Sequence, residues 1–248
     1  MMGKGPGIPA DMVFLDLEDA VAPKEKEASR ARVATAIRSQ DWGDKVLCVR
    51  VNDWSTKWTA FDIIEVVAGA GERLDEIMLP KVETAAQIVA TDLLLRQVEI
   101  ANGLPIGHIG IEAQIETARG LINVEEICAA SSRLETIIFG PADFAASMEM
   151  PVLTGGVQIA EYPGDHFHYV FSKILMAGRA NGLQVIDGPY LYIRDSDEAT
   201  LQNNGLGLIL AQHGVVVVAR DIAEAYDVLD RLEGSAHTLL HSAALPAG

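Results

Sequence analysis

Cysteine is scarce in this chain, and the two that occur, Cys48 and Cys128, lie far apart in apolar surroundings. That spacing excludes a disulfide framework or a zinc knuckle and fits two buried thiols in a reducing compartment. Aromatic residues make up only 6% of the 248 residues, against 49% hydrophobic ones, so the interior is aliphatic, built from Val, Ile and Leu. Positive charge is short too: 19 Lys and Arg face 35 Asp and Glu, for a formal charge of −16. A field of that sign repels nucleic acid and anionic membrane and excludes both as partners. It also repels anionic substrates, so an anion site has to be made locally, by a metal ion and a few placed cations. No apolar run reaches membrane-spanning length. Residues Met1 to Asp11 are Gly- and Pro-rich with one lysine and no apolar core, unlike a signal peptide. The expectation is a cytoplasmic protein with a flexible segment over residues 1–11.

What is present is alternation. Short Val/Ile/Leu-rich runs occur at Met12–Leu17, Val46–Val51, Glu76–Leu79, His108–Ile115, Leu134–Phe139 and Leu183–Ile186. None alternates with period two, as expected of parallel strands buried on both faces. Between them lie helical patterns: from Pro23 to Ser39, Thr59–Ala70, Glu83–Asn102, Arg119–Ser131 and His166–Asn181, the last stopped by Gly182. Strand and helix repeating every 30 residues or so indicate a parallel α/β fold. Nearly every strand ends in polar residues, which favours a (β/α)8 TIM barrel, whose active site collects side chains from many strand ends, over an open sheet with one switch point. Gly207–Leu210 and Val215–Val218 offer one or two more strands, and no room remains before Met12 for another strand and helix. The spacing therefore predicts one barrel domain over residues 12–195, incomplete at both ends, followed by an atypical strand–helix segment over 196–248.

The strand ends supply the chemistry. Glu116 and Asp143 each follow a strand, one strand apart, so a barrel brings both carboxylates to one mouth where they can share Mg²⁺. Read singly, each is also an ordinary acid at a helix start. Glu18 and Asp19 add two acids, and four carboxylates in one funnel call for a cation. Arg50 ends an apolar strand and must face carboxylates, a ligand or both, because an unpaired buried charge is costly. Its fork suits a substrate carboxylate or an enolate oxygen; a structural salt bridge to Glu18 or Asp19 is the plainer reading. Lys81 sits at another strand end, where neighbouring acids should raise its pKa and favour charge balance over Schiff-base chemistry. His166 and His168 are two apart, a poor chelate on a helix, and read as surface or capping residues.

Six ordered segments carry a resemblance: Leu15-Asp16-Leu17-Glu18-Asp19-Ala20-Val21-Ala22-Pro23, Val49-Arg50-Val51-Asn52, Met78-Leu79-Pro80-Lys81-Val82-Glu83, Ile115-Glu116-Thr117-Ala118-Arg119-Gly120, Phe139-Gly140-Pro141-Ala142-Asp143 and Ile186-Asp187-Gly188-Pro189-Tyr190. Over residues 12 to 195 the chain resembles the citrate lyase β-subunit-like and malyl-CoA lyase branch of the HpcH/HpaI aldolase superfamily. The resemblance implies a TIM barrel, homo-oligomers (trimers or hexamers), and Mg²⁺ held by Glu116 and Asp143. It implies Arg50, Lys81, Pro141 and Ala142 as substrate-binding residues, with Glu18 and Asp19 supporting the metal and Arg50. The implied reaction is carbon–carbon cleavage of a 3-hydroxyacyl-CoA, such as malyl-CoA to acetyl-CoA and glyoxylate; a CoA-ester hydrolase, a free-pyruvate aldolase and a catalytically impaired binding protein are the alternatives. The family's first strand and helix have no counterpart before Met12. Residues Ile209 to Asp221 resemble instead the end of class II aldolases, in which the histidine matching His213 is a zinc ligand.

Overall fold

A computed structural model describes residues 2–8, 10–150, 166–189, 207–210 and 214–217. Six parallel strands follow the apolar runs: β1 (Met12–Asp16), β2 (Val46–Arg50), β3 (Glu76–Leu79), β4 (Gly110–Ile115), β5 (Leu134–Phe139) and β6 (Gln184–Ile186). Between them stand α1 (Lys26–Ser39), α2 (Thr59–Ala70), α3 (Ala85–Ala101), α4 (Ala118–Ile122), α5 (Val124–Cys128), α6 (Pro141–Ser147) and α7 (His168–Ala180). The helical pattern from residue 119 to 131 splits in two at Asn123, which caps α4 and opens α5. The short α6 was not anticipated; Pro141 begins it and Asp143 lies in its first turn. After α7, Gly182 takes φ +74°, and Leu183 N–H returns to the Gly178 carbonyl, the left-handed stop foreseen there.

The parallel strands curl into a half-barrel. Its core is aliphatic, with Leu47, Val49, Ile77, Leu79, Ile111 and Ile137 almost wholly excluded from water. The scarce aromatics are concentrated rather than spread. Phe139 at the end of β5 meets Phe144, Phe167 and Phe171 edge-on at 5.2–5.4 Å, so four of the six phenylalanines brace the end of one strand. Both cysteines are buried and free, as expected.

Two features depart from the expected barrel. Strands β7 (Gly207–Leu210) and β8 (Gly214–Val217) form an antiparallel pair, and β8 joins β1 antiparallel as well. The sheet order is β6-β5-β4-β3-β2-β1-β8-β7, and among the described residues no pairing joins β6 to β7. Only three residues separate β7 from β8, enough for a hairpin but far too few for the crossover that a parallel pair requires. At the other end, the segment expected to be flexible forms a 3₁₀-helix over Met2–Gly7, with Gly5 laid against the Trp42 ring. The rest of the 196–248 segment, including His213, lies outside the described residues.

Candidate active site

The C-terminal ends of β1 to β5 converge on one polar mouth. Arg50, at the end of β2, makes a two-pronged ion pair with Asp16 of β1, Nε to Oδ1 at 2.9 Å and Nη2 to Oδ2 at 2.6 Å. Its Nη1 lies 3.3 Å from Glu18 Oε2, and its guanidinium covers the Phe14 ring. Asp16 also accepts the backbone N–H groups of Glu18 (2.8 Å) and Ala20 (3.1 Å), so it shapes the loop while aiming the arginine. Despite burial, Arg50 holds the Asp16 carboxyl below the usual carboxylate range. Asp16 was passed over because it reads as the last residue of a strand; its place beside Arg50 in the parallel register is the signal that would have found it. Asp19, expected to orient Arg50, is instead exposed and makes no hydrogen bond or ion pair with the described residues. Asp16 makes the direct ion pair, while the charge of Asp19 still acts on Arg50 and Glu18.

Glu18 is buried and reaches inward, where its Oε1 accepts from Lys81 Nζ at 2.5 Å. Beneath it, Lys26 Nζ donates to the carbonyls of Leu17 (2.9 Å) and Glu18 (2.6 Å). Asn52, at the end of β2, donates to the Leu17 carbonyl at 3.1 Å and to Asp62 at 2.6 Å. The loop that carries Glu18 is thus tied down from two sides.

Lys81 joins the rest of the mouth. Its backbone takes φ 51°, in the left-handed region that a lysine enters only when its surroundings fix it there. In that conformation its N–H donates to Glu116 Oε1 at 2.8 Å, and its ammonium lies between Glu18 and Asp143 Oδ2, 3.9 Å from the latter. Burial opposes the charge on Lys81, but the Glu18 carboxylate outweighs it and raises the pKa. This supports the charge-balancing reading over the Schiff-base one.

Glu116 follows β4 and is almost fully buried. Gln114 Nε2 donates to its Oε2 at 2.8 Å. Burial first, then the negative charge of Asp143, pushes its carboxyl up to about 8. The plainer reading of Glu116 as a helix cap does not hold, because Thr117 caps α4 by accepting the Gly120 N–H at 3.0 Å. Asp143 does occupy the first turn of α6, half-exposed, so the two readings of that acid coexist. Pro141 is buried at the start of α6, and Ala142 beside it is exposed at the rim. Sequence reasoning missed the importance of Gly140. A Cβ there would lie 2.4 Å from Glu116 Oε2 and 2.6 Å from Glu116 Cβ, so only glycine lets β5 pass this close to the acid. His168 opens α7 and is exposed, and His166 rests against the Phe167 ring.

The donor set suits a hard divalent cation. Three carboxyl groups, those of Glu18, Glu116 and Asp143, surround a single ammonium, and Lys81 there stands in for the positive charge that they require.

The chain belongs to the HpcH/HpaI aldolase/citrate lyase family, which matches residues 1–209, and this places it among carbon–carbon lyases. It is 37% identical to an L-malyl-CoA/beta-methylmalyl-CoA lyase of Cereibacter sphaeroides, over 91% of this chain and 78% of that protein. It is 35% identical to a malyl-CoA/beta-methylmalyl-CoA/citramalyl-CoA lyase of Chloroflexus aurantiacus, over 75% of this chain but only 58% of the relative. Among solved structures, a citrate lyase beta subunit of M. tuberculosis complexed with oxaloacetate and magnesium aligns with a TM-score of 0.60 and 30% identity, over 81% of this chain and 79% of that one. A malate synthase of Haloferax volcanii, 20% identical with a TM-score of 0.68 over 81% of this chain and 60% of the other, shares the fold. No described helix is long and apolar enough to cross a membrane.

Proposed function

We propose that this chain is a Mg²⁺-dependent lyase that cleaves a 3-hydroxyacyl-CoA of the malyl-CoA type into acetyl-CoA and glyoxylate. The observation that carries the reading is the buried Glu116, set beside Asp143 and Glu18 with Lys81 as their cationic neighbour. Relatives named as malyl-CoA lyases, and a structural neighbour that holds magnesium and oxaloacetate, support it. Glu116 and Asp143 would hold the ion, with Glu18 supporting its shell. Bound there, Mg²⁺ supplies a Lewis acid for the carboxylate and hydroxyl (later oxo) oxygens of the small acid.

The chain's own residues do the rest. Arg50, held rigid by Asp16, presents its guanidinium to the enolate oxygen of the departing acyl thioester. Lys81 and the α6 start at Pro141 and Ala142 receive the oxo acid. Lys81 keeps its proton throughout and balances charge as the acids exchange partners. The barrel closed as in the family, assembly into trimers or hexamers, and a cytoplasmic location belong to the same reading.

Incubation with malyl-CoA and Mg²⁺ should release glyoxylate, and Glu116→Ala or Asp143→Ala should lower the rate at least about a hundredfold, by loss of electrostatic stabilisation. Unchanged Mg²⁺ affinity in both variants would refute the assignment. Free thiol released without glyoxylate would select ester hydrolysis instead.

A further inference from the structure

We propose that Cys48, Glu76 and Glu112 form a second metal site, for a thiophilic divalent ion of the zinc class, in the interior of the half-barrel beneath the active site. One ligand atom from each of the three lies within 4.8 Å of the other two, and all three side chains are buried. They come from adjacent strands: Cys48 pairs with Glu76 across β2 and β3, and Glu112 lies on β4 opposite Met78.

The carboxyl groups lack what buried acids ordinarily have. Apart from the two carboxyls facing one another, no donor among the described residues serves either oxygen of Glu112, which is fully excluded from water, or Oε2 of Glu76. The Thr136 hydroxyl is 3.4 Å from the remaining oxygen of Glu76. The surrounding side chains Phe14 and Met78 are apolar, and no ion pair reaches the group, whereas Arg133 lower in the fold is paired with both Asp92 and Glu99. Two facing buried acids without a cation must hold at least one proton between them; burial raises both, with the charge of Glu76 adding to the shift of Glu112 and that of Glu135 to the shift of Glu76. A divalent ion removes the difficulty by replacing the protons they hold.

The ligand chemistry selects the ion. A thiolate with two carboxylates excludes Mg²⁺, which takes oxygen alone, and suits Zn²⁺, Co²⁺ or Fe²⁺. Binding would release the thiol proton of Cys48 and the carboxyl protons to solvent, so uptake should strengthen as pH rises. The site is separate from the mouth. Glu112 lies within β4 and Glu116 just past its end, four residues on, which is on the order of 13 Å of extended chain.

The test uses the full chain, produced with Co²⁺ in the growth medium so that the ion is present during folding, then dialysed against EDTA and excess Mg²⁺. The expected result is about one retained Co²⁺ per chain, with a near-ultraviolet sulfur-to-cobalt band. Cys48→Ser should lose the band and Glu112→Gln the retained cobalt, both with native circular dichroism, while Glu116→Ala keeps both signals. That last arm separates this site from the proposed catalytic one. Absence of retained metal in the unsubstituted protein, or a band that survives Cys48→Ser, would overturn the proposal and leave a carboxyl pair sharing a proton.

Discussion

Strand β4 carries one buried acid, Glu112, and is followed directly by another, Glu116, and the protein treats them differently. Around Glu116 it supplies a backbone N–H from Lys81, an amide from Gln114 and the charge of the Lys81 ammonium. Around Glu112 it supplies apolar walls and a second acid. Both carboxyls are pushed above their ordinary range by burial, but only the first is surrounded by groups able to stabilise its charged form. Burial alone is therefore a poor guide to where chemistry happens. The mouth is distinguished by donors and cations arranged so that negative charge can be exchanged with a ligand.

The sharpest way to break this comparison is to remove a carboxylate from the mouth that supports a cation. Asp16→Ala leaves Arg50 with only its longer contact to Glu18 and should destabilise the fold by about 3–5 kcal/mol, read from urea denaturation. An effect near zero would mean that Glu18 or water takes over.

Next comes pH. The Glu76 carboxyl is pushed up to about 7 by burial and by the charge of Glu135, and the unfolded value is 4.5. A raised folded pKa means that the stabilising contribution is complete below 4.5 and is lost as pH rises through 7. In metal-free protein this loss should be on the order of 3 kcal/mol. Glu76→Gln should flatten the curve between those values. Glu116, raised to about 8, acts in the same direction, and Mg²⁺ should flatten its part of the profile while leaving the Glu76 part in place. Mg²⁺ acting equally on both would erase the distinction between mouth and interior.

A smaller effect is expected from Gly140→Ala. The added methyl forces Glu116 or β5 aside and should cost about 1–3 kcal/mol in melting experiments, with a disproportionate loss of Mg²⁺-dependent turnover. Unaltered activity would show that Glu116 has slack.

Much of the frame was legible from residue pattern. The strands β3 and β5 and helix α2 fall where their apolar runs begin and end, each stopped by a proline or glycine: Pro80, Gly140 and Gly71. Lys81, Arg50, Glu18 and Glu116 were legible as strand-end residues and do meet at one mouth. That the direct ion pair to Arg50 falls to Asp16, with Asp19 acting only through its charge, is set by the strand register, which the loop sequence does not reveal. The two runs at Gly207–Leu210 and Val215–Val218 are legible as strands but not as an antiparallel hairpin, because an apolar run carries no mark of its direction. Glu76 and Glu112 belong to no motif along the chain, and only the sheet register brings them and Cys48 together.

Gly140 carries one further consequence. What the site requires there is a missing atom, so an inventory of acids and cations would overlook it. A copy of this chain that drifted away from catalysis could keep Glu116, Asp143, Arg50 and Lys81 intact and yet be disabled by a single methyl group on the neighbouring strand. Position 140 is thus a sentinel for the site, informative in any related chain where the charged residues alone would suggest that nothing had been lost.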